Sequence, residues 1–92
     1  MTMSGMTASQ LNTFSDEIEQ SARKLQQNAE RLNETSKMIG TAIQCGDVAD
    51  QLQASVSSIA TSLDEVGTDM TRVSAQVREA AEMQKNREVL GL

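Results

Sequence analysis

Asp47 and Gln51 stand four residues apart in the run Ile43-Gln44-Cys45-Gly46-Asp47-Val48-Ala49-Asp50-Gln51. If that run is helical, the carboxylate and the carboxamide lie side by side on one face. A carboxylate can anchor a cation on a partner. A carboxamide can both donate to and accept from a water molecule, which is what holding a nucleophilic water in attack geometry requires. The sequence offers little other chemistry. It has no histidine, which closes imidazole acid–base and His-based metal sites, and its one cysteine, Cys45, cannot form an internal disulfide. Cys45 falls at a core-type heptad position and reads as a small apolar residue. No glycine-rich phosphate loop is present and no metal ligand set is expected. Any catalysis therefore falls to carboxylates, amides and hydroxyls.

The pattern I-Q-x-x-D-x-x-x-Q resembles the catalytic segment of the CheZ-type chemotaxis phosphatases, and also a segment of chemoreceptor-like signalling proteins. The resemblance covers Ile43 to Gln51 and the general habit of long paired helices. It implies that Gln51 orients the water that attacks the aspartyl phosphate of a phosphorylated CheY-type receiver domain, while Asp47 contacts a receiver lysine. No cofactor is then expected on this chain, because the Mg²⁺ belongs to the receiver and an acyl phosphate is already reactive. Gly40, Gln44, Ala54 and Ser58 share the outer stripe of Asp47 and Gln51, and none is bulky or charged. They are the expected partner-binding residues. Asp16 to Gln20 is a second D-x-x-x-Q, but it lacks the upstream Ile-Gln.

The elements that would position these residues are helices. The chain has no proline, and Ala, Ser, Gln, Glu, Thr and Leu dominate, so little interrupts a helix and little favours a strand. With 92 residues and a single aromatic, Phe14, the chain is one domain at most and too lean for a conventional globular core. Long helix contacts or self-association must supply its stability, and a homo-oligomer is expected. Thr7 followed by Gln10 fits a capping box, with Met6 and Leu11 at the staple positions, so a helix should begin there. From it Leu11, Ile18, Leu25, Leu32 and Ile39 recur every seven residues, with the small Ala8, Ser15, Ala22, Ala29 and Ser36 on the companion row. Large residues on one row and small ones on the other permit close, antiparallel packing.

A second register follows. Cys45, Leu52, Ile59, Val66, Val73 and Ala80 form one expected seam, and Ala49, Val56, Leu63, Met70 and Val77 the other. Between the registers the phase slips by one residue near Ile43 to Cys45, flanked by Gly40 and Gly46. Two arrangements fit. Either Gly46 ends the first helix in the left-handed conformation and Asp47 caps a second, giving an antiparallel hairpin of two helices of about 37 residues and ~55 Å each, or one long helix runs through. The expected organisation is a flexible N-terminus at 1–6, an all-α coiled-coil or bundle domain at 7–85 and a C-terminal tail at 86–92. That tail, with Val89, Leu90 and Leu92, resembles the short acidic–apolar peptide by which CheZ-type proteins tether the receiver.

The net charge of −5, with basic residues interleaved among acids and no Trp or Tyr to stack on bases, argues against nucleic acid as a partner. No stretch approaches the ~20 apolar residues of a membrane span, and the opening Met1 to Met6 lacks the basic start and apolar core of a signal peptide. A cytoplasmic location is expected, without membrane insertion. Two non-enzymatic readings share this evidence. One is a chemoreceptor-like adaptor or interaction rod. The other is a type VII secretion substrate or partner, because a helical hairpin near 90 residues with a mid-chain glycine looks similar in outline to the WXG family. Gln44-Cys45-Gly46 occupies the place of that family's tryptophan motif, and a C-terminal Tyr-x-x-x-Asp/Glu is absent.

Overall fold

The computed structural model describes residues 6–42 and 46–91. The chain forms two α-helices, α1 (Ala8–Ala42) and α2 (Gly46–Leu90), packed against each other along their length as a hairpin. The all-α expectation holds, and of the two arrangements the sequence allows, the hairpin is adopted. Its longest dimension, 68 Å, is the length of α2 itself, 45 residues at about 1.5 Å each.

Helix α1 starts as its sequence requires. The Gln10 amide N–H donates to Thr7 Oγ1 at 3.2 Å, and the Thr7 N–H donates back to Gln10 Oε1 at 2.9 Å. Both halves of the reciprocal cap are therefore made. A third donor of the first turn, the Ala8 N–H, is taken by Glu88 Oε2 from the far end of α2 at 3.1 Å. A carboxylate there also complements the positive end of the α1 dipole. The segment expected as a separate tail is helical through Leu90. Gly91, at φ 71°, then closes α2, its N–H donating to the Glu88 carbonyl at 3.2 Å.

The reversal of the chain differs from the expected one. Gly46 does not end α1 in the left-handed conformation, because α1 stops at Ala42 and Gly46 is already the first residue of α2. Asp47 accordingly lies inside the first turn of α2 rather than ahead of it. The helices are also unequal, with 35 residues in α1 and 45 in α2. Ile43, Gln44 and Cys45 lie outside the described residues.

One constant antiparallel register fixes the seam. Ser15 meets Ser74, Ala22 meets Gly67, Ala29 lies beside Ala60, and Ser36 meets Gln53. The same register sets Ala8 opposite Ala81, and both are buried. The seam is thus built almost wholly from alanine, serine and glycine. The approach is close: a Cβ added at Gly67 would stand 3.1 Å from the Ala22 carbonyl oxygen and 2.8 Å from Gln26 Cγ.

This geometry corrects half of the expected seam of α2. The row Ala49, Val56, Leu63, Met70 and Val77 does face inward, Ala49 buried and the others half-buried. The companion row is the small one, Gln53, Ala60, Gly67, Ser74 and Ala81. Leu52, Ile59, Val66 and Val73, expected inside, remain exposed, Ile59 by 53%. The cause lies in α1, whose Ala and Ser row draws the two backbones together until only a row of equally small residues fits opposite.

The two long sides of the hairpin differ in character. On one side polar groups bridge the helices. Arg78 reaches Glu19 at 3.3 Å and Asp16 at 3.7 Å, and a groove beside Ala29 and Ala60 is lined by Gln26, Glu30, Asn33, Thr61 and Asp64. On the other side lie the half-buried Leu11, Ile18, Leu25, Leu32 and Ile39 of α1 and the half-buried and exposed apolar rows of α2. Those rows contain no charged residue until Arg87, in the last turn of α2.

Candidate functional site

Asp47 occupies the first turn of α2, and Gln51 follows one turn later. Both are exposed, as are Ala54 and Ser58 further along the same helix. In the register that buries Ala49, Ala60 and Gly67, these four positions fall on the stripe turned away from α1. Placing a carboxylate so near the N-terminus of α2 is favourable in itself, because the helix dipole is positive there. Among the described residues, no side chain or backbone group hydrogen-bonds to the Asp47 carboxylate or the Gln51 carboxamide.

The other expected members of the stripe behave differently. Gln44 lies outside the described residues. Gly40 is exposed near the end of α1, but its empty side faces α2, where an added Cβ would collide with the Gln53 carboxamide. That carboxamide is already committed, since Gln53 Nε2 donates to the Ser36 carbonyl at 2.9 Å while Ser36 Oγ donates to the Gln53 carbonyl at 3.3 Å. Gly40 is thus accounted for by the packing of Gln53. Asp47, Gln51, Ala54 and Ser58 are brought together on one surface, and Gly40 serves the seam.

The second D-x-x-x-Q is set in different surroundings. Asp16 lies 3.7 Å from the Arg78 guanidinium, which also contacts Glu19, and Glu19 in turn pairs with Arg23 at 3.0 Å. Its carboxylate belongs to an ion-pair cluster across the polar side of the hairpin. The two copies, equivalent by spacing alone, are therefore separated by their electrostatic surroundings.

Asp47 and Gln51 form an open pair and not a pocket. Among the described residues, no three or more Cys, Asp or Glu side chains converge to hold a metal. The pair can accept a cation at one position and hold a water at the other, but the electrophile and any metal would have to come from a partner. A feature the sequence reading missed is the uncharged apolar side of the hairpin. Its signal was available in the second small row, Ala60, Gly67, Ser74 and Ala81, which recurs every seven residues. Among the described residues, no helix is long and apolar enough to cross a membrane. Comparison with protein-family models, curated proteins and solved structures gives no match.

Proposed function

We propose that this chain works by binding other proteins, as a small helical hairpin of WXG-like outline that serves as a type VII secretion substrate or partner. The observation that carries this reading is the hairpin itself, two antiparallel helices of which the first ends at Ala42 and the second begins at Gly46. The chain departs from the WXG pattern in lacking the tryptophan and the C-terminal Tyr-x-x-x-Asp/Glu. Secretion is tested by expressing the protein in hosts with and without an intact type VII ATPase. Its appearance in the medium only with the ATPase supports the reading, and equal retention in both hosts sinks it.

A second reading is favoured by the exposure of Asp47 and Gln51 on one unobstructed stripe with Ala54 and Ser58. Here the hairpin docks on a phosphorylated CheY-type receiver in the cytoplasm, Asp47 engages a cationic side chain of the receiver, and Gln51 holds the attacking water in line with the aspartyl phosphate. The receiver supplies Mg²⁺. Receiver dephosphorylation is the assay. Gln51→Ala should lower turnover about a hundredfold with docking retained, on the scale expected when a reactant loses its positioning. Asp47→Ala should weaken docking as well. Gln20→Ala is the internal control and should be inert. Docking without any turnover would leave a non-catalytic adaptor.

A further inference from the structure

We propose that the apolar side of the hairpin is covered by a second copy of this chain. Among the described residues, only small side chains are fully buried between the two helices, and the large apolar side chains are at most half-covered. Leu52, Ile59, Val66 and Val73 are between 41% and 53% exposed in a single straight row on α2. Beside them lie the half-buried rows of both helices, and only on the far side of the hairpin do Arg78, Glu19 and Asp64 appear.

Charge and area both select the same occupant. The chain carries 8 basic and 13 acidic residues, yet the rows that make this side hold none of them before Arg87, in the last turn of α2. An acidic or basic partner would find nothing there to pair with, whereas an identical uncharged face can bury it without stranding a charge. The α1 row from Leu11 to Ile39 spans about 42 Å at ~1.5 Å per residue, and the hairpin is 17 Å across. Each copy thus offers about 700 Å², close to the ~800 Å² per partner of a standard stable interface. Among the described residues the buried side chains are those of six alanines and three serines, a thin core for a hairpin of this length to stand on by itself. The surface is distinct from the Asp47–Gln51 stripe, and its test is independent of both functional readings.

Sedimentation equilibrium of the whole chain, together with thermal unfolding followed over a hundredfold range of concentration, tests the proposal. The expected result is a dimer or higher even-numbered assembly whose unfolding midpoint rises with concentration. A monomer with a concentration-independent midpoint overturns it, and so does a monomer that associates only with a different helical protein. Val66→Glu should weaken self-association at least about tenfold, whereas Thr68→Glu, about 200° round the helix from Val66, should leave it unchanged. Self-association that survives Val66→Glu assigns the contact to another surface and overturns the proposal. If Val66→Glu fails to fold, Val66→Ser read through the same dilution series must still weaken association.

Discussion

Ser15 donates its hydroxyl to the backbone carbonyl of Ser74 at 2.8 Å, and both side chains are sealed from solvent between the helices. Ser74 Oγ turns the other way, to the Thr71 carbonyl of its own helix at 2.8 Å. Each hydroxyl in this layer is therefore satisfied, and the Ser15 bond ties the two helices together across the seam. Replacing Ser15 by Ala should cost about 0.5–1.5 kcal/mol, the net worth of one such bond. Ser15→Leu should cost more, by roughly 1–3 kcal/mol, because the seam has no room for it. Chemical denaturation at one fixed protein concentration measures both, and a neutral Ser15→Leu would show that the helices separate easily.

Two glycines separate backbone cost from packing need. Nothing lies within 4 Å of a Cβ placed on Gly46, and its φ is not positive, so Gly46→Ala should stabilise the hairpin by about 0.5–1 kcal/mol. Gly67→Val should destabilise it by about 1–3 kcal/mol, since its first carbon already crowds the Ala22 carbonyl oxygen. Opposite signs in thermal or denaturant unfolding are the expected result.

The start of α1 rests on a side-chain cap. Thr7→Ala removes the acceptor for the Gln10 N–H and should cost about 1 kcal/mol, with Thr7→Ser close to neutral. Amide hydrogen exchange should localise the loss to the first turns of α1.

Arg78 bridges to α1 through Glu19 and Asp16, but its side chain is 48% exposed. Arg78→Ala should therefore change stability by less than ~1 kcal/mol, and the difference should shrink further in high salt. A larger, salt-insensitive loss would mean that the aliphatic stem of Arg78, not its charge, holds the helices.

Helix α1 was legible in the sequence because its two rows differ so plainly in size: five large aliphatics beside five alanines and serines, with a capping box to set the start. The all-α class followed from the same repeat. In α2 the sequence carries three apolar or small rows, and hydrophobicity favours Leu52, Ile59, Val66 and Val73 over Gln53, Ala60, Gly67, Ser74 and Ala81. Size overrules it. The small row of α1 sets the distance between the backbones, so the choice made in α2 depends on a helix some fifty residues away and is not visible in any local window. The site was legible in part for a similar reason. Outer positions such as Asp47, Gln51, Ala54 and Ser58 follow from either register, whereas the engagement of Gly40 by Gln53 depends on how the helices meet across the turn.

A seam of near-identical small layers has a mechanical consequence. Slide α1 along α2 by seven residues and most of its alanines and serines still face alanine, serine or glycine, so apolar packing barely distinguishes one notch from the next. What distinguishes them is a few polar keys: Ser36 with Gln53 near the turn, Ser15 with Ser74 two turns from the open end, and Glu88 on the Ala8 amide at that end. The hairpin thus resembles a ratchet with a smooth track and stops spread along its length, and the stops, not the track, set where it rests.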